Sequence, residues 1–136
     1  MPGTKVEAGA FMRAGLFFIP MTLSVVLAAC TGDAPQPRWG KVEGADVARG
    51  ERLVSQYQCG SCHRIPEVPA SVGRVGPSLE GFGLRAYIAG EVPNGPQALQ
   101  RWLQAPQSLV PDTPMPDMGV SPGDARDMAG FLLSLR

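Results

Sequence analysis

Histidine is almost missing from this sequence: 136 residues contain one, His63. Ligation of a metal by two imidazoles of the same chain is therefore excluded. Lysine is nearly as scarce, with only Lys5 and Lys41, and 12 basic residues balance 12 acidic ones. No basic stretch offers the electrostatic footprint of a nucleic-acid binder. Long apolar runs are lacking too. The longest, residues 14–29, has 16 residues with Thr22 and Ser24 as polar breaks, short of the roughly 20 that a spanning helix needs. Strand-like alternation does not rise above noise, and 17 glycines with 14 prolines cut the chain into short elements and long loops.

The residue pattern that organises the chain is Cys59-Gly60-Ser61-Cys62-His63. C-x-x-C-H is the spacing of a c-type haem attachment site. Two thiols one turn apart can each add to a vinyl group on one porphyrin edge, and the next residue brings an imidazole to the iron. Three other chemistries compete for these residues. A redox dithiol expects a βαβ context, which the flanks do not show. A zinc site needs about four N/S ligands; the chain holds three cysteines and one histidine, and one of them, Cys30, has another explanation. A structural disulfide leaves His63 without a role.

The third cysteine has its own context. Arg13 and the apolar run 14–29 have the layout of a signal peptide, which reads more naturally from Met12 than from Met1. The run ends in Leu27-Ala28-Ala29-Cys30, which resembles the lipobox of bacterial lipoproteins. That resemblance implies residues 1–29 as a signal peptide cleaved before Cys30, and lipid on Cys30. An ordinary signal peptide or an uncut anchor are the alternatives. Residues 30–44 read as a flexible linker. As a coil its fourteen residues from Thr31 would span on the order of 20 Å, or about 45–50 Å fully stretched.

Residues 45–136 form the expected domain. Val47, Gly50, Val54 and Tyr57 recur at helical spacing over 45–57. A glycine inside a helix costs roughly 1 kcal/mol against alanine, and a close helix crossing at Gly50 would justify it. A short helix is expected over 84–89 and another over 96–105, capped by Asn94 or Gly95. In the last, Ser121-Pro122 starts the helix, and Met128, Phe131, Leu132 and Leu135 make one apolar face. The fold class is all-α with long loops. So thin a core needs a buried cofactor to complete it, and the chain without one should be poorly folded.

Met115 lies in Pro114-Met115-Pro116, where the prolines fix an extended backbone that can hold a thioether at a set point. It is the candidate second axial ligand. Met118 is the less constrained competitor and Met128 belongs to the core; a non-methionine ligand or an open position is the remaining alternative.

From about residue 45 onward the chain resembles the class I c-type cytochromes, a monohaem family with His/Met ligation. The attachment motif, Gly76-Pro77-Ser78-Leu79, Met115-Pro116 and Asp124-Ala125-Arg126-Asp127 carry the likeness. Tyr87-Ile88-Ala89-Gly90 and Trp102-Leu103 are similar to bacterial members that serve respiratory oxidases. The resemblance implies N- and C-terminal helices crossing around one haem c, covalent through Cys59 and Cys62, with His63 and Met115 on iron. It further implies that the Pro77 carbonyl orients His63, that Gly50 crosses the last helix near Phe131, and that Arg85, Tyr87 and Trp102 contact the haem propionates. A solvated arginine and two core aromatics are the plainer readings of those three.

With both axial positions filled, the expected function is one-electron transfer. The expectation is a monomeric, lipid-anchored carrier on the periplasmic side of a bacterial membrane, not an enzyme and without a small-molecule substrate. Its partners would be membrane-bound redox proteins, either a terminal oxidase or a quinol-oxidising complex. Because lysine is so scarce, the docking face should be largely apolar. One alternative is a haem-based protein that binds or senses NO or CO; another is a subunit docked permanently on a larger oxidoreductase.

Overall fold

The computed structural model describes Gly3 and residues 40–136. The expected signal peptide, the lipidation of Cys30 and linker residues 30–39 lie outside the described residues. Three α-helices dominate: α1 (Val47–Gln56), α2 (Pro96–Gln104) and α3 (Pro122–Ser134). The fold is mostly helical, as the sequence implies.

Two of these helices begin where a side chain satisfies a first-turn N–H group. The Asp46 carboxylate accepts from the Arg49 N–H at 2.9 Å to open α1. The Ser121 hydroxyl accepts from the Asp124 N–H at 3.2 Å to open α3, with Pro122 in the first turn. Gly95 precedes Pro96 at the start of α2 and contributes no side-chain cap. Asn94, the other expected cap, is used elsewhere. Its amide donates to the Phe82 and Arg85 carbonyls at 3.2 and 3.0 Å, and its backbone N–H to the Ala86 carbonyl at 2.8 Å.

α3 packs against both α1 and α2. Its one apolar stripe was expected to face the core, yet Ala129, Gly130 and Leu133 are buried as well. A helix enclosed on most sides tolerates little polarity, and α3 has one buried charge, Asp127. That carboxylate accepts from the Asp46 N–H at 3.0 Å and from Arg49 Nη1 at 2.6 Å. Arg49 Nη2 also donates to Asp124, whose second oxygen accepts from the Tyr57 hydroxyl at 2.8 Å. α1 and α3 are thus joined by a polar clamp beside their apolar contact. The clamp sits next to Gly50, where a Cβ would strike the Asp127 carbonyl and lie 3.0 Å from Phe131 Cβ. The expected close crossing near Phe131 is present.

Two expectations are corrected. Residues 84–89 are not helical. A 3-10 turn at Phe82–Leu84 ends in extended Arg85, and an antiparallel hairpin follows, β1 (Tyr87–Ile88) with β2 (Val92–Pro93). Ala89 and Gly90, with φ of 51° and 79°, turn the chain back as two left-handed residues do. In addition Val42, within the stretch read as linker, is buried in the core.

Candidate functional site

α1 ends at Gln56 with Tyr57 as its cap; Gln58, whose φ of 56° and ψ of 30° are left-handed, then leads into a 3-10 turn at Cys59–Ser61. The His63 N–H donates to the Cys59 carbonyl at 2.9 Å, so the five motif residues wind as one compact turn. The loop that follows folds back onto them. The Gly73 N–H donates to the Gly60 carbonyl at 3.0 Å, Gly76 to Cys62 at 2.9 Å and Leu79 to Arg64 at 2.8 Å. These backbone bonds fix where the motif's side chains emerge.

His63 Nδ1 lies 2.7 Å from the Pro77 carbonyl. A carbonyl only accepts, so Nδ1 carries the proton and the lone pair is left on Nε2. That is the tautomer a metal needs, and the bond fixes the orientation of the ring. Gly76 packs flat against the ring: a Cβ there would fall 2.7 Å from Nδ1 and 2.9 Å from Nε2.

His63 opens on a cavity of about 360 Å³, within the size range of cofactor pockets. Its walls include Val54, Leu79, Ile88, Leu99, Leu103 and Leu132 from the core. Cys59, Cys62, His63, Pro77, Arg85, Tyr87, Trp102 and Met115 all line it. The structure therefore brings every site residue read from the sequence to one cavity, Cys30 lying outside the described residues. Burial pushes the Cys59 thiol up to about 11, the direction an apolar wall imposes on a group that would ionise.

Placement also separates the three propionate candidates. Trp102 is buried, Tyr87 is 54% exposed, and Arg85 is half-buried. Arg85 Nη2 donates to the Ser78 carbonyl and, at 3.2 Å, to the Glu80 carbonyl. Its guanidinium also lies 5.7 Å from the centre of the Phe82 ring. Met115 is half-buried on the cavity, whereas Met118 is 41% exposed and does not line it. Met128 is fully buried in the core. Sequence reading missed Thr113, which lines the cavity and accepts from the Met115 N–H at 3.3 Å, and Gln107, whose amide donates to the Met115 carbonyl at 2.6 Å.

This donor set fits an iron porphyrin. One imidazole nitrogen is free, a thioether and two thiols share an apolar cavity, and His and Met are axial donors of c-type haem iron. Among the described residues no three His, Cys, Asp or Glu side chains group as a cage for a bare metal ion.

Comparison with known proteins agrees. The family model for cytochrome c matches residues 47–136. The chain belongs to the cytochrome c family. Its cofactor is accordingly haem c and its chemistry electron transfer. Two relatives are named cytochrome c oxidase subunit 2. The protein from Alkalihalophilus pseudofirmus is 29% identical over 89 residues, 65% of this chain and 25% of that protein. The one from Bacillus subtilis is 32% identical over 74 residues, 52% of this chain and 21% of that protein. This cytochrome thus spans a quarter or less of the relatives it matches.

Proposed function

We propose that this cytochrome is a one-electron carrier of a respiratory chain, with a single haem c joined through thioethers at Cys59 and Cys62 and ligated by His63 and Met115. The free thiols of the structure stand for those thioether sulfurs. The observation that carries the reading is the convergence of the motif, the Pro77-oriented imidazole and the proline-clamped Met115 on one apolar cavity. When bound, the haem supplies a one-electron Fe(III)/Fe(II) couple. Pro77 holds His63 in the ligating tautomer. The apolar walls would exclude water and Met115 would supply the second protein ligand to the iron, leaving neither substrate nor gas a place to bind. The protein is then a carrier and not an enzyme in its own right.

A terminal oxidase is the acceptor favoured by the likeness to proteins named as oxidase subunits; a quinol-oxidising complex would be the donor. Docking would use the apolar rim, where Val75 lines the cavity and is 85% exposed. The lipid on Cys30 and the linker would keep a monomeric head on the periplasmic side of the membrane.

The test is the absorption spectrum of the holo-protein, ferric and ferrous, with and without CO. Expected are a six-coordinate low-spin haem, a far-red methionine-to-iron band lost in Met115→Ala, and no shift on CO addition. A five-coordinate or CO-binding ferrous haem would overturn the carrier and favour the NO/CO-binding alternative.

A further inference from the structure

The loop of residues 111–119 carries Met115, and of its nine residues only Thr113 and Met115 are half-buried; the rest are exposed. Pro111, Pro114 and Pro116 remove three backbone donors from it. Its hydrogen bonds are few. The Thr113 N–H donates to the adjacent Val110 carbonyl at 3.1 Å, the Met115 N–H to Thr113 Oγ1 at 3.3 Å and the Gly119 N–H to Asp117 Oδ1 at 2.8 Å. Among the described residues, one side chain from outside the loop bonds into it. Gln107 Nε2 donates to the Met115 carbonyl at 2.6 Å. Because a carbonyl only accepts, the amide nitrogen must face it.

The two ends of this bond differ in firmness. Gln107 sits in the 3-10 turn Pro106–Ser108 at the end of α2, on buried Pro106. The N–H groups of Leu109 and Val110 close onto the Pro106 carbonyl at 3.1 and 3.0 Å, and the Ser108 hydroxyl onto Ala105 at 2.7 Å. The other end is the exposed ligand loop, a segment with little else to resist local opening.

We propose that Gln107 is a positioning residue for the axial ligand: its amide latches the Met115 loop to α2 and keeps exogenous ligands off the sixth position. The proposal rests on the reading of Met115 as that ligand. Removing the latch raises the fraction of time Met115 is withdrawn, by about two- to tenfold for a net hydrogen bond.

The experiment uses the ferric holo-protein and imidazole as probe. Stopped-flow uptake at saturating imidazole reads Met115 release, and the far-red band and reduction potential are followed alongside. Gln107→Leu keeps the bulk and loses the donor; Gln107→Arg restores donors at similar reach. Faster uptake by about two- to tenfold in Gln107→Leu, with return toward wild type in Gln107→Arg, supports the latch. An unchanged rate in Gln107→Leu, or equal acceleration in both variants, overturns it. Met115→Ala separates the two claims. Loss of the band there, with Gln107→Leu unchanged, sinks the latch alone, whereas a wild-type protein without the band sinks the ligand assignment beneath it.

Discussion

The backbone of Gly76 lies so close to the imidazole of His63 that a single methyl group would overlap the ring, 2.7 Å from Nδ1 and 2.9 Å from Nε2. The same residue donates its N–H to the Cys62 carbonyl at 2.9 Å, so the backbone cannot retreat without releasing the motif. In Gly76→Ala the ring must rotate off the Pro77 carbonyl instead. A stability loss of about 1–3 kcal/mol is expected from the overlap, together with a lower yield of holo-protein and a high-spin component in its ferric spectrum. An unaltered low-spin spectrum would show that the contact is not what sets the ring.

Gly50 makes the same argument between helices. Alanine would improve helix propensity by roughly 1 kcal/mol, but its Cβ would meet the Asp127 carbonyl, a backbone atom that cannot swing aside. Overpacking of this kind costs about 1–3 kcal/mol, so Gly50→Ala should lower the denaturant midpoint. Gly123, also helical, has no heavy atom within 4 Å of a built Cβ. Gly123→Ala should be neutral or stabilising by up to about 1 kcal/mol. Equal effects at the two sites would mean that the crossing yields.

The clamp of Arg49 with Asp124 and Asp127 predicts an acid limb. Burial pushes the Asp127 carboxyl up, but hydrogen bonds from Arg49, the Asp46 N–H and Arg126 outweigh it and hold it below its ordinary value. The Tyr57 hydroxyl, Ser121 and Arg49 lower Asp124 as well. Both groups bind protons more weakly folded than unfolded. Their contribution is therefore complete above the unfolded value near 4 and is lost as pH falls through the lower folded values. Asp127→Asn should cost about 2 kcal/mol at neutral pH, with the gap closing below about pH 4. Urea unfolding of both proteins across this range checks it; a gap independent of pH would assign the loss to packing.

Docking should depend little on salt. His63 is the single histidine and Lys41 the single lysine among the described residues, and acids match bases along the chain. Val72 and Val75 are both largely exposed beside the attachment motif. We expect the rate with a membrane oxidase to fall by less than about threefold between low and physiological ionic strength, because exposed charges are what screening weakens. A steep fall would place the contact on arginines instead.

How legible was this molecule in its sequence? The parts with fixed spacing were readable. Cys59, Cys62 and His63 fall within five consecutive residues, Met115 is marked by two prolines, and Gly50 is costly enough in a helix to signal a crossing. The 82–93 segment was not. Its hairpin strands have two residues each, too short for alternation to show, and Ala89 takes a left-handed φ of 51° that alanine does not advertise. Gln107 was invisible for a different reason. An exposed glutamine after a proline looks like any loop residue until the fold brings the Met115 carbonyl to its amide.

The cavity itself makes the last prediction. Its walls hold Val54, Leu79, Ile88, Leu99, Leu103 and Leu132, side chains that also belong to the core. If a space of about 360 Å³ stayed open and dry, the cost at roughly 24 cal/mol per Å³ would be on the order of 9 kcal/mol. That is comparable to the entire stability of a small domain, about 5–15 kcal/mol. The chain without haem must therefore collapse or admit water, and either route undoes the seating of α1 and α2 on α3. In Cys59→Ala/Cys62→Ala, where haem cannot be attached, helicity by circular dichroism should fall well below the holo-protein and melting should lose its cooperativity. A sharp thermal transition with full helicity would instead show that the three helices hold without the porphyrin. The haem would then be a guest in a finished fold and not part of its core.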